Sequence, residues 1–344
     1  MISALPLPAI FALFAVSAGI ICICGIAMTG RADTLADRTG LGEALVGAVI
    51  LGAATSLSGV TVSVTAALDG RASLAFSNSV GGIAAQTAFL AVADMAFRKA
   101  NLEHAAAEAT NLIQGVLLVF LLSLPFAAMA APEVTIWAIH PVSIAIPVIY
   151  LLGMVVSRQV REEPMWKPVN TKETRHDTCE DEDDENTGKS TGRLAAEFTV
   201  LMIAMGLAGW MISRTGSALI DQIGLSASLV GALMTAVATS LPELVTTVAA
   251  VRRGALQLAV GGIIGGNMFD TLFLSAADVA YRDGSLYHAA NTQDYFWIST
   301  SILMTTALLA GLIVRERQGP ARIGIDSLSL LGLYGAAIAI QMVM

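Results

Sequence analysis

The sequence predicts an all-α membrane protein of about ten transmembrane helices, arranged as two inverted repeats of five. Three observations predict it: a shortage of charge, a succession of apolar runs of bilayer-spanning length, and a self-similarity at a fixed offset. Charged residues make up 13% of the 344 positions and hydrophobic residues 55%, where soluble domains carry about 25% charged residues. The shortage is also uneven. Residues 158–193 hold 17 of the 46 acidic and basic side chains. A soluble enzyme, a nucleic-acid binder and a disordered chain are excluded on this balance, and no basic stripe exists for nucleic acid.

A bilayer core about 30 Å thick needs roughly 20 apolar residues per helix. Ten such runs occur, near 5–29, 41–68, 72–97, 111–131, 133–157, 194–213, 224–251, 255–281, 295–314 and 323–343. The first is read as a span, since it lacks the basic start and small-residue cleavage site of a secretory signal. Cys22 and Cys24 fall inside it as small hydrophobes, and Cys179 stands alone in the charged stretch, so no disulfide framework is expected. With the N-terminus outside, 16 Lys and Arg fall on the cytoplasmic side and 3 on the other. That asymmetry places both termini outside and the 158–193 loop in the cytoplasm; a plasma (inner) membrane is the expected location. The expected organisation is a first half at 1–157, an acidic loop at 158–193 that carries Glu180 to Glu185, and a second half at 194–344. The acidic run reads as a solvated linker.

Self-comparison is the most informative step. Residues 44–106 align with 228–290 without a gap at an offset of 184, and 26 of the 63 positions are identical. Ala54-Thr55-Ser56-Leu57 matches Ala238-Thr239-Ser240-Leu241, Gly81-Gly82 matches Gly265-Gly266, and His104-Ala105-Ala106 matches His288-Ala289-Ala290. A unit of five spans is odd in number, so the second copy enters the membrane from the opposite face. Inverted repeats of this kind are common among secondary transporters, with the substrate site at the midplane between the halves.

The polar residues inside the spans carry the chemistry. The second and seventh spans each contain a Thr-Ser pair near the middle. In the seventh, Ala238-Thr239-Ser240-Leu241-Pro242-Glu243 places a proline, which has no N–H for the Ala238 carbonyl, beside an acid. Irregular backbone at membrane depth is tolerated where it lines a cavity, and an intramembrane carboxylate is functional by default. The eighth span reads Gly261-Gly262-Ile263-Ile264-Gly265-Gly266-Asn267-Met268-Phe269-Asp270, with Asn267 and Asp270 three apart on one face. Oxygen donors without Cys or His suit Na⁺, Ca²⁺ or Mg²⁺. Asp94 with Arg98, and Asp278 with Arg282, have the spacing of helix-end ion pairs. His140 reads as a satisfied core residue, and Ser77 and Asn78 are candidates for the cavity wall.

The segment Ala238–Leu274 resembles the second repeat motif of the cation/Ca²⁺ exchanger superfamily, which includes the sodium/calcium exchangers. The resemblance implies the ten-helix inverted fold and maps Thr55, Ser56, Gln86, Thr239, Ser240, Glu243, Asn267 and Asp270 onto cation-site positions. The first half is degenerate against that pattern: Ser58-Gly59 stands in place of Pro-Glu, Ile83 and Gln86 replace the Asn and acid, and Gly82 and Gly266 stand where serines are expected.

The expected function is a secondary cation antiporter, Ca²⁺ exchanged for Na⁺ or H⁺ by alternating access, with inorganic cations and membrane lipid as partners and no resident cofactor. The alternatives are an antiporter for another cation (Na⁺ or Mg²⁺), or a non-transporting sensor or scaffold on an exchanger fold. No enzyme is expected, because no H-E-x-x-H or Ser–His pair is present. Oligomeric state is left open. Because Glu243 and Asp270 are the only acids to balance a divalent ion, transport is expected to depend on pH. Gly59→Glu is expected to strengthen Ca²⁺ binding if there is room.

Overall fold

A computed structural model describes residues 2–39, 55–97, 100–169, 171, 174, 189–317, 319 and 323–344. The acidic run, Cys179 and Arg98 lie outside the described residues. Among those described, the chain is helical, with one isolated bridge between Ile136 and Ile139. The helices are α1 (Leu7–Thr39), α2 (Leu57–Leu68), α3 (Ala72–Asp94), α4 (Leu102–Ala105), α5 (Ala109–Ala130), α6 (Pro141–Glu162), α7 (Thr191–Ile223), α8 (Ala227–Thr239), α9 (Leu241–Arg253), α10 (Leu256–Ala280), α11 (Thr292–Val314) and α12 (Ile325–Gln341).

Six of these are long and apolar enough to cross a bilayer, and α8 with α9 form one further candidate span bent by 48°. The bend falls at Ser240, and Pro242 follows in the first turn of α9. Within α8, Val230–Thr235 winds as a π-helix, a local loosening often found at functional sites. α3 is less apolar than these spans for a physical reason. It is the central helix, with 21 of its 23 residues buried, so it faces protein and its Ser, Asn, Gln and Gly need not face lipid. α10 lies against it, while α1 packs along α7 on one flank.

Helix boundaries recur at the offset seen in the sequence. Leu7 and Thr191 begin α1 and α7, which end at Thr39 and Ile223; Leu57 and Leu241, Ala72 and Leu256, and Pro141 and Ile325 likewise begin helices 184 residues apart. Packing recurs too. A Cβ on Gly25 would meet Pro242 Cγ at 2.5 Å, and one on Gly209 would meet Ser58 O at 2.6 Å. Only glycine lets α1 and α7 cross the start of α9 and of α2 at that distance.

Two expectations differ from the structure. The fifth apolar run was expected to turn helical near residue 133, but residues 131–140 are extended or turned, with positive φ at Trp137 and Ala138. The helix starts at Pro141, whose missing N–H costs nothing at a first helical position. His140 caps it by accepting the Val142 N–H at 3.2 Å. The second correction concerns Asp278 and Arg282, which make no ion pair. Asp278 accepts the His140 N–H, the Ser143 hydroxyl and the Leu286 N–H, while Arg282 donates to the Val279 and Trp137 carbonyls. Asp94 is likewise taken by backbone, accepting from Leu102 and Gly324. A buried carboxylate is better matched by several fixed N–H donors than by one exposed arginine.

Candidate cation site

Four helix segments converge on one small cavity. Ser56 stands at the N-cap of α2 and Ser240 at the junction of α8 and α9, each in the same turn conformation (φ −84°, ψ 0° and φ −98°, ψ 7°). At Ser240 that turn ends one helical segment and begins another, and both serine hydroxyls are buried. α3 contributes Asn78, Gly82 and Gln86, spaced four apart and therefore on one face. α10 contributes Asp270 and, three residues on, Phe273. Gly59 and Thr239 complete the wall beside Glu243. The space left is small, 10 Å³ counted at the centre of a water-sized sphere, which is room for about one water or one ion.

The hydrogen bonds are organised around Asp270. Its Oδ1 accepts the Ser56 hydroxyl at 2.9 Å and its Oδ2 accepts the Gln86 amide at 2.6 Å. The same Gln86 nitrogen reaches Ser240 Oγ at 3.1 Å, so Ser56 meets the α10 acid directly and Ser240 is linked to it through the α3 amide. Thr55 hydrogen-bonds the Glu243 carboxylate. Two buried oxygens then remain without a hydrogen-bond partner, Gln86 Oε1 and Glu243 Oε2. A buried acceptor left unmade costs roughly 1–3 kcal/mol. No Lys, Arg or His lines the cavity among the described residues. Two carboxylates, hydroxyls and amide oxygens form a hard-oxygen donor set suited to Na⁺, Ca²⁺ or Mg²⁺.

Of the residues singled out in the sequence, Ser56, Gln86, Thr239, Ser240, Glu243 and Asp270 line this cavity, and Thr55 borders it through Glu243. The Thr239 hydroxyl itself is turned back to the Thr235 and Ala236 carbonyls. Asn267 is fully buried but stands outside the lining, donating to Thr87 Oγ1 at 2.9 Å. It shares the face of α10 that meets α3, as its spacing from Asp270 implied, yet one turn away from the cavity. Asn78 is in the wall, held by Gly59 O, Ser63 and Thr235, while Ser77 turns to Asp294. Sequence reasoning passed over Gly59 as a wall residue, and over Gly82 and Phe273. The four-residue spacing of Asn78, Gly82 and Gln86, and the three-residue step from Asp270 to Phe273, were the available signals.

Comparison with known proteins bears on this geometry. The family model described as "Sodium/calcium exchanger protein" matches residues 9–157 and again 194–343. Inner membrane protein YrbG of Escherichia coli (strain K12) is 30% identical over 123 residues, and a putative antiporter, CaxA of Alkalimonas amylolytica, is 33% identical over 129. Those alignments span 36% and 37% of this chain, and only 37% and 39% of the relatives' lengths. Among solved structures, an H⁺/Ca²⁺ exchanger, CAX, superposes with a TM-score of 0.67 at 12% identity, covering 97% of this chain and 86% of that one. YfkE gives 0.65 at 13%, covering 97% and 92%. The sodium-calcium exchanger NCX_Mj soaked with 10 mM Na⁺ and zero Ca²⁺ gives 0.60 at 15%, covering 96% and 98%. At these identities the likeness is one of fold.

Proposed function

Because the chain belongs to the sodium/calcium exchanger protein family, and is thus a multi-pass integral membrane protein, we propose that it is a secondary cation antiporter that carries Ca²⁺ in exchange for Na⁺ or H⁺ at the Glu243–Asp270 site. The observation that carries this reading is the pair of unpartnered oxygens, Gln86 Oε1 and Glu243 Oε2, buried beside two carboxylates with no basic side chain in the wall. Such a cavity is incomplete without a cation. Two acid side chains balance one Ca²⁺, or two singly charged ions that take its place in the return step. Replacement of one set by the other is what couples the two flows.

The scaffold of this antiporter is ten spans in two inverted halves, 1–157 and 194–344, joined by a cytoplasmic loop at 158–193. Support comes from the gapless offset of 184 in both sequence and helix boundaries, from the family model matching once in each half, and from the odd number of apolar runs per half. Alternating access then follows from exchange of the two halves' conformations around the shared cavity. Both termini lie outside on the Lys and Arg distribution. An impermeant maleimide therefore labels Cys179 only from the cytoplasmic side, and labelling in intact cells overturns that orientation.

The decisive experiment is ion flux in proteoliposomes under imposed gradients of Ca²⁺, Mg²⁺, Na⁺, K⁺ and H⁺. Ca²⁺ uptake driven by a Na⁺ or H⁺ gradient is expected, abolished by Glu243→Gln and sharply weakened by Asp270→Asn. Flux of Na⁺ or Mg²⁺ without Ca²⁺ makes this an antiporter for another cation. No flux with any pair makes it a scaffold.

A further inference from the structure

The counterpart of Glu243 at the 184-residue offset is Gly59, and both positions line the cavity. The space a side chain would need at Gly59 is taken. A Cβ built there would stand 2.5 Å from Phe273 Cε2 and 3.1 Å from Cζ. Phe273 is 3% exposed and held in an edge-to-face ladder, with Phe269 at 6.3 Å and Phe269 in turn with Tyr150 at 6.0 Å. Its own counterpart 184 residues earlier is another phenylalanine, Phe89. Phe89 is buried yet absent from the cavity wall. The same residue type thus stands at both related positions, and its ring enters the cavity only where the facing carboxylate is missing.

We propose that Phe273 determines the ion capacity and size selectivity of the site: its ring fills the subsite left vacant at Gly59, so the cavity holds one cation against Glu243 and Asp270. This rests on the antiport reading above. An apolar ring supplies no oxygen, and Ca²⁺ takes six to eight of them, so no second ion is accommodated on that side. The ring also fixes how far the wall stands from Asp270, three residues away on the same helix, and with it the largest ion the cavity admits. Gly59→Glu by itself cannot restore a third carboxylate, because the ring must first move. Overpacking of this kind is destabilising in a close-packed interior.

The test uses the purified full-length protein in detergent. Calorimetry gives affinity, equilibrium dialysis with radioactive calcium gives ions bound per chain, and competition with Ba²⁺ gives size preference. The wild type is expected to bind one Ca²⁺. Gly59→Glu alone, and the milder Gly59→Ala, are expected to weaken binding by about tenfold through displacement of the ring. Gly59→Glu with Phe273→Ala is expected to bind Ca²⁺ at least about tenfold more tightly than Gly59→Glu alone, since ligand charge tunes Ca²⁺ affinity. Phe273→Ala alone is expected to reduce the preference for Ca²⁺ over the larger Ba²⁺ by about fivefold, a wider cavity favouring the larger ion. The inference is overturned if Gly59→Glu alone binds as tightly as the wild type, or if Phe273→Ala changes neither affinity nor size preference. Should the double variant fail to fold, Gly59→Ala and Phe273→Ala decide on the same criteria. A wild type that neither binds nor moves Ca²⁺ overturns the antiport reading and this inference together, whereas a binding wild type with unresponsive variants overturns this inference alone.

Discussion

The loops that follow α3 and α10 are built alike and filled differently. After α10, Asp278 Oδ1 accepts the Leu286 N–H at 2.8 Å and Oδ2 accepts the His140 N–H at 2.8 Å. After α3, Asp94 Oδ1 accepts the Leu102 N–H at 2.7 Å and Oδ2 accepts the Gly324 N–H at 3.2 Å. Every pair of these residues is 184 apart. The side chains above this frame diverge. Ser143 donates to Asp278 and shares a 2.8 Å bond with the buried Tyr287 hydroxyl, which closes a neutral network around one acid. Ser327, its counterpart, hydrogen-bonds Asp94 in the same way and also donates at 3.3 Å to Glu103, which stands where the other loop has Tyr287. Glu103 also hydrogen-bonds the Asp326 side chain, a contact between two acids that needs a proton on one of them. Burial, with the nearby charges of Asp326 and Asp94, holds the Glu103 carboxyl well above the ordinary 4.5. The difference teaches that the backbone frame is shared while the polar filling is free to drift, provided an added acid keeps its proton.

The largest effect is expected from Asp278→Ala. It strands two buried backbone N–H groups and the Ser143 hydroxyl, a cost of roughly 2–5 kcal/mol, read as a fall in the apparent melting temperature in detergent. Asp94→Ala is expected to cost about half as much, because its Gly324 bond is long and its removal relieves Glu103 of one like charge. Equal losses in the two variants break the comparison.

Next in size is Glu103→Gln. A carboxyl with a raised folded pKa binds more protons in the folded than in the unfolded state, so stability falls as pH rises above the unfolded value near 4.5. Wild-type protein is therefore expected to lose stability relative to Glu103→Gln from about pH 5 upward. Parallel melting curves for the two proteins across that range contradict the protonated assignment.

The smallest contrast is between the serines. Ser143→Ala removes bonds of 2.6 and 2.8 Å to Asp278 and Tyr287 and is expected to cost about 1–2 kcal/mol, while Ser327→Ala, which removes a bond to Asp94 and a longer one of 3.3 Å to Glu103, is expected to cost about 1 kcal/mol. A reversed order of melting temperatures shows that the first-half loop is the tighter one.

Much of this was legible in the sequence because membrane helices advertise themselves by composition and because the chain repeats itself. The Thr-Ser breaks, Glu243, Asp270 and Gln86 could be found from those two signals, and all reach or line the cavity. Periodicity places a residue on a face but not at a depth along it, so Asn267 was set beside Asp270 although its amide goes to Thr87. Charge spacing suggested a partner for Asp278 in Arg282, while its actual donors come from residues more than a hundred positions earlier and from the following loop. The filling of Gly59 by Phe273 was invisible for a related reason: an absent side chain leaves no mark of what moves into its place.

The small volume of the cavity has a consequence for hydration. On the antiport reading proposed above, a space for one water-sized body would admit an ion only after its water shell has been stripped, its bound water exchanged for oxygens such as those of Ser56, Gln86, Ser240, Glu243 and Asp270. Mg²⁺ sheds water reluctantly and usually keeps several molecules, whereas Ca²⁺ accepts an irregular shell of protein oxygens. Under that reading, discrimination between two ions of equal charge would be set by the work of dehydration before either touches a carboxylate.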